Sequence, residues 1–183
     1  MAAPVIAAGL IHIAVIKGGA LATLARIPLD GARTFRGRRL LGENKSLRGA
    51  LLMPVATIGC TLAQASLAEH FKGVRDLGFV DFHEVSPVLW GVLLGVGYVV
   101  GELPNSFIKR QLDIPAGGCA AGAKGAFFWF LDQVDSLFGI LALLCLIRVP
   151  PLAVGLTLVA PTLIIHPAIA LLMCALQLKS RIG

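Results

Sequence analysis

Two aspartates three residues apart, Asp132 and Asp135 in the segment FFWFLDQVDSLFG, fall on one face of a helix, with Ser136 one turn after Asp132 and apolar residues on both sides. Two adjacent carboxylates in apolar surroundings do not both stay charged without compensation. Either a divalent cation sits between them or a neighbouring Lys or Arg pairs with them in a structural ion-pair network. All-oxygen ligands suit magnesium, and a pair of carboxylates can share it. Upstream, GELPNSFIKRQ supplies a second constellation. If one helix runs through it, Glu102, Ser106, Lys109 and Arg110 stand at i, i+4, i+7 and i+8, with Asn105 beside the stripe. A helix end whose cations snorkel to headgroups accounts for Lys109 and Arg110 but not for Glu102, Asn105 and Ser106.

A third segment, RIPLDGARTFRGRRLLGENKSLRG, interleaves Arg26, Arg33, Arg36, Arg38, Arg39, Lys45 and Arg48 with Gly31, Gly37, Gly42 and Gly49. Glycine turns let backbone N–H groups approach an anion, and arginine forks match phosphate oxygens. A positive loop resting on anionic lipid is the competing explanation. Cations for a polyphosphate and carboxylates for its magnesium, on one side of a membrane, make a nucleotide site. Asn105 and Ser106 are then donors to phosphate or ribose, and Lys109 and Arg110 supply charge at the reacting phosphates.

The elements that must position these groups are set by composition. The chain has 183 residues, 57% of them hydrophobic and 14% charged, with mean hydropathy +0.85, which excludes a soluble globular domain. Apolar runs near 4–24, 50–69, 85–101, 125–147 and 152–178 predict an all-α integral membrane protein with five transmembrane helices in a single domain, 1–183. The first run lacks a basic segment before Pro4 and continues into Lys17 without a clear cleavage site, so it reads as a retained helix. Segment 26–48 carries the seven cations against Asp30 and Glu43, whereas 69–84 carries Glu69, Asp76, Asp81 and Glu84 against Lys72 and Arg75. The positive-inside rule then puts the first loop, Lys109, Arg110, Lys124, Lys179 and Arg181 in the cytoplasm and leaves Arg148 outside. The N-terminus is outside and the C-terminus cytoplasmic, in a multi-pass protein of the cell membrane whose site faces the cytoplasm.

Cys60, Cys119, Cys145 and Cys174 show no Cys-x-x-Cys and no zinc spacing, and read as small packing residues. His12 and His166 lie inside apolar runs, either bonded to a neighbouring helix or facing a polar cavity. Gly91, Gly95, Gly97 and Gly101 in GVLLGVGYVVG form two small-xxx-small pairs for close packing within the monomer or across a homodimer. Pro54, Pro87, Pro104, Pro161 and Pro167, near or within helices, predict kinks or breaks.

The segment PLDGARTFRGRRLLGENKSLRG is similar to the P-[IL]-D-x-G…F-x-x-x-R-x-L-G-x-x-K-[TS]-x-R-G region of the CDP-archaeol synthase family, and SFIKR and LDQVDS resemble its later signatures. The resemblance spans about 28–139 and carries three blocks in order. The family is related to phosphatidate cytidylyltransferases, whose signature ends in an Asp-Arg-x-Asp-Ser that DQVDS echoes. It implies a magnesium-dependent transfer from CTP to a lipid phosphate, archaeal ether or phosphatidate-like, with release of pyrophosphate. The implied CTP contacts are Asp30, Arg33, Arg39, Lys45, Ser46, Arg48, Asn105 and Ser106. The implied metal ligands are Asp132, Asp135 and Glu102, the last standing where the family pattern has Asp, and the implied catalytic groups are Lys109, Arg110, Asp132 and Asp135. The expected partners are CTP, a lipid phosphate and the bilayer, with no nucleic acid. A CTP-dependent polyprenol kinase would share the site but transfer the γ-phosphate. A transporter or scaffold would instead carry its charges through the midplane rather than at the cytoplasmic helix ends.

Overall fold

A computed structural model describes residues 2–76, 78, 80–118, 120–147 and 149–178; Cys119, Arg148, Lys179 and Arg181 lie outside the described residues. The elements in chain order are α1 (Ala2–Lys17), α2 (Ala22–Ala25), a hairpin of β1 (Thr34–Phe35) and β2 (Arg38–Arg39), α3 (Leu47–His70), α4 (Lys72–Asp76), α5 (Pro87–Gln111), α6 (Gly122–Leu144) and α7 (Leu152–Ala175).

Four of these, α3, α5, α6 and α7, are long and apolar enough to cross a membrane. At 1.5 Å per residue each matches a hydrocarbon core about 30 Å thick. The first expected span differs. Its helix stops at Lys17 after 16 residues, where Gly18 and Gly19 follow and Gly19 turns to φ 67°. The five expected spans therefore become four of full length and one shorter apolar helix.

The third expected span also differs, in the opposite sense. The apolar run ends at 101, yet α5 continues to Gln111 through Pro104. Proline removes only its own N–H from the ladder, and the polar stripe beyond it faces protein rather than lipid. The helix opens with Pro87 in its first turn and the Ser86 hydroxyl accepting from Leu89 N–H at 3.4 Å. It closes where Asp113 takes φ 60° and Ile114 N–H returns to the Lys109 carbonyl at 2.9 Å.

Helix α5 is the centre of the bundle, with α3 on one side and α6 on the other. Its glycines divide between the two. A Cβ on Gly91 would lie 2.6 Å from Ile58 Cα of α3, and one on Gly97 would lie 2.7 Å from Ile140 Cα of α6. Gly95 meets Pro54 of α3, and Gly101 meets Gly139 of α6. Both small-residue pairs are thus used within the monomer. Lipid tails are as apolar as leucine, so close backbone approach is what makes helix–helix contact better than helix–lipid contact. Trp90, Leu93 and Leu94 complete the α5–α6 seam with Ile140 and Leu144, and Ala8 of α1 packs on Met53 and Ala56 of α3. Helix α7 rests on α6 and has no buried residue.

The connection between α1 and α3 folds over one end of this bundle. Arg36 and Gly37 take φ 53° and 77°, the left-handed pair that a two-residue hairpin turn needs. The hairpin docks on the end of α5: the Phe35 and Phe107 ring centroids are 6.2 Å apart, Arg38 donates to the Gln111 carbonyl and to Asp113 Oδ2, both at 2.5 Å, and Gln111 Nε2 donates to the Arg39 carbonyl at 3.2 Å. The basic segments before α3 and at the end of α5 therefore meet at one end of the bundle.

Candidate active site

Beneath that loop, a cavity of about 830 Å³ is bounded by α1, α3, α5, α6 and α7. Its polar end is made by the first turn of α3, the last two turns of α5 and the middle of α6. The stripe expected on α5 exists as one face: Glu102, Asn105, Ser106, Lys109 and Arg110 all line the cavity, opposite Asp132 and Asp135 of α6.

One amide ties the two aspartates together. Asn105 Nδ2 donates to Asp132 Oδ1 at 2.7 Å and to Asp135 Oδ2 at 2.8 Å. Lys109 Nζ reaches both oxygens of Asp132, at 2.6 and 2.5 Å, while lying 5.8 Å from the centroid of the Phe128 ring. Asp135 Oδ1 accepts from the Ser136 N–H at 2.6 Å. The aspartate pair is therefore compensated by a lysine and an amide, with Asp135 holding no cation of its own among the described residues.

Glu102 is not drawn into this pair. It lies one turn after Tyr98, which also lines the cavity, and forms an ion pair with Lys45 from the loop. Among the described residues no three His, Cys, Asp or Glu side chains converge as a metal site; of the expected ligands, Asp132 and Asp135 share the Asn105 amide and Glu102 pairs with Lys45. Burial alone would depress the Lys45 pKa, but the Glu102 carboxylate outweighs it and holds the ammonium above its ordinary value.

The basic loop splits into two parts. Lys45, Ser46 and Arg48 line the cavity at the start of α3; Asp30, Arg33 and Arg39 do not. Arg39 instead clasps Asp30, with Nη2 to Oδ1 at 2.8 Å and Nε to Oδ2 at 3.2 Å, and the same carboxylate accepts from Ala32 N–H at 2.9 Å and Leu41 N–H at 3.0 Å. Burial of Asp30 works against its charge, but the Arg39 bond and the two amides outweigh it and hold its pKa below the ordinary 3.8. Asp30 and Arg39 are a brace for the loop. Arg33 is exposed. Of the loop glycines, Gly42 is held where its N–H donates to Ser106 Oγ at 3.1 Å, and a Cβ there would come 3.0 Å from an Arg110 guanidinium nitrogen. Gly49 lies inside α3 rather than in a turn.

Three buried side-chain atoms have no hydrogen-bond partner among the described residues: Arg48 Nε, Arg110 Nε and Asn105 Oδ1. All three residues line this cavity. Buried polar atoms are rarely left unpaired, and here two are guanidinium donors suited to an anion and one is an oxygen suited to a cation. Reasoning from sequence did not single out Tyr98, which sits in a glycine-rich run and resembles packing. It left His12 and His166 open between interhelical bonds and a cavity; both line the cavity.

The arrangement agrees with what the chain resembles. Residues 9–182 match the family model described as CarS-like, CDP-archaeol synthase. The CDP-archaeol synthase of Halobacterium salinarum is 35% identical over 151 residues, covering 82% of this chain and 74% of that one. That of Methanosphaerula palustris is 31% identical over 159 residues, covering 83% and 87%. A solved intramembrane enzyme of archaeal membrane lipid biosynthesis shares the fold at a TM-score of 0.59 and 24% identity, over 88% of this chain and 89% of the other. The chain thus belongs to the CDP-archaeol synthase family and is a membrane-embedded nucleotidyltransferase.

Proposed function

We propose that the protein transfers the cytidylyl group of CTP to the phosphate of an archaeal-type ether lipid, releasing pyrophosphate, at the cytoplasmic face of the cell membrane. The observation that carries this reading is the mix of groups in one cavity: unpaired guanidinium donors at Arg48 and Arg110 share it with the unpaired Asn105 Oδ1 and with the carboxylates of Asp132 and Asp135. Its apolar remainder, lined by α1 and α7, suits lipid chains.

The donor set fits magnesium. Asp132 and Asp135 offer carboxylate oxygens held by one amide, and the unpaired Asn105 Oδ1 is a further oxygen in the same cavity. These residues would hold the ion, and the chemistry it supplies when bound is neutralisation of phosphate charge and support of the leaving pyrophosphate. The protein's own groups do the rest. Lys45, Ser46 and Arg48 at the start of α3 bind the nucleotide's phosphates, helped by the helix N-terminus. Lys109 and Arg110 place positive charge where two anions approach. A lipid monophosphate, with a second pKa near ~6, is already largely dianionic at neutral pH and needs no general base. Its oxygen forms a bond to the α-phosphorus of CTP, and the bond from that phosphorus to the β-phosphate oxygen breaks, the electron pair leaving with pyrophosphate.

The two basic segments share one end of the bundle, which the positive-inside rule assigns to the cytoplasm. With α1 crossing the membrane as a fifth, shorter span, the N-terminus is outside. Incubating purified protein with CTP, magnesium and a panel of ether and diacyl lipid phosphates tests the reading. Stoichiometric CDP-lipid and pyrophosphate, strongest with the ether lipid, are expected; CDP and a newly phosphorylated alcohol would instead mark a kinase.

A further inference from the structure

The two helices that border the apolar part of the cavity each bring one histidine to it. Helix α1 packs on α3 and α7 packs on α6, and both line the cavity with residues such as Ile6, Ile13, Leu158 and Ile165. His12 is the only polar side chain of α1 before its terminal Lys17, and His166 is the only histidine or charged residue of α7. Both line the cavity and both feel the Lys45–Glu102 pair. His12 lies against the first turn of α3, its Cε1 3.6 Å from where a Cβ on Gly49 would be, next to Arg48 with its unpaired Nε. Among the described residues His12 makes no hydrogen bond. His166 faces the Tyr98 ring at a centroid distance of 6.4 Å.

Polar side chains at membrane depth are costly, so two isolated histidines at the border between apolar lining and charged site call for a polar occupant. We propose that His12 and His166 form the seat of the lipid substrate's phosphate: the point where a phosphomonoester whose chains remain between α1 and α7 is held and aimed at the nucleotide. Neutral imidazole donates to a phosphate oxygen without carrying a permanent charge into the apolar mouth. His12 and His166 are positioning residues here, and the nucleotide's own phosphates stay with the start of α3 and the end of α5. The inference rests on the reading of the protein as a lipid-phosphate cytidylyltransferase.

Two measurements on the full chain in neutral detergent test it. The first is steady-state kinetics of His12→Ala, His166→Ala and the corresponding Gln variants, which keep a donor and guard against loss of folding. The KM for ether-lipid phosphate is expected to rise about tenfold in each Ala variant, with partial recovery in Gln and a KM for CTP within about twofold of the parent. The second needs no turnover: thermal stabilisation by the lipid phosphate, relative to the same lipid as its free alcohol. The parent should be stabilised by the phosphate more than by the alcohol, and the His12→Gln/His166→Ala double variant should lose that difference. If the parent makes no CDP-lipid, the functional reading fails whatever the histidines do. If it does, and the variants keep both their lipid-phosphate KM and the phosphate-specific stabilisation, or lose CTP affinity equally, the phosphate seat lies elsewhere.

Discussion

The two faces of α6 are built on different principles. Toward α5 the backbones nearly touch, with Gly97 and Gly101 set against Ile140 and Gly139, and the seam includes Leu94 and Leu144 at full burial. Toward α7 no residue of the partner helix is buried, and Leu152, Leu156 and Ile164 stay 78%, 63% and 71% exposed. The polar and charged groups follow the first face: Asn105 and Lys109 of α5 bond Asp132 and Asp135 of α6 across the seam. A pair of carboxylates held by one amide tolerates little displacement, so it belongs on the rigid seam, while a wall that rests on lipid leaves room for greasy chains to pass.

The contrast is tested most severely at the carboxylates. Asp132→Asn and Asp135→Asn keep the side-chain shape and the seam but lose the charge, so each should cut kcat by at least ~100-fold with an unchanged unfolding midpoint in detergent. A large drop in midpoint would make the pair a structural element of the seam instead. The seam itself comes next. Gly97→Leu should destabilise by about 1–3 kcal/mol through overpacking against Ile140. Ile164→Ala on α7 should change stability by less than ~0.5 kcal/mol, because that side chain already faces outward. Equal effects at the two positions in thermal unfolding would erase the distinction between the faces.

Smaller effects separate the two halves of the basic loop. Lys45→Ala and Arg48→Ala should each raise the KM for CTP about tenfold in neutral detergent, where no anionic surface competes. Arg39→Ala should leave that constant within about twofold, since its guanidinium is spent on Asp30 outside the cavity. The smallest effect is that of acid on the loop brace. The Asp30 pKa is lowered in the folded protein, so its contribution is full above the ordinary 3.8 and is lost as pH falls through the folded value. Amide exchange at Ala32 and Leu41, corrected for intrinsic rates, should stay slow at pH 5 and quicken below 3.8; in Asp30→Asn it should be fast throughout.

What could be read from sequence was what is local. The spacing of Asp132 and Asp135 and the stripe from Glu102 to Arg110 are properties of single helices, and both stand as expected. Pairings between distant residues were not legible: Lys45 and Glu102 are separated by 57 positions, and nothing in the basic loop distinguishes Lys45, which enters the cavity, from Arg39, which turns back to Asp30. Hydropathy misplaced two helix ends for opposite reasons. Gly18 and Gly19 stop α1 inside an apolar run, and α5 outlasts its run because its polar face looks into protein. The glycines of α5 were recognisable as packing residues, but which neighbour each one meets is decided by the rotation of the helix, and that is set by contacts on both sides.

The most direct measurement of the central claim follows CTP carrying different labels on its α- and γ-phosphorus through the reaction with the ether-lipid phosphate. The account requires the α-label in the lipid product and the γ-label in pyrophosphate, with both transfers lost in Asp132→Asn and Asp135→Asn. The γ-label in the lipid, or undiminished α-label transfer in both variants, would contradict it.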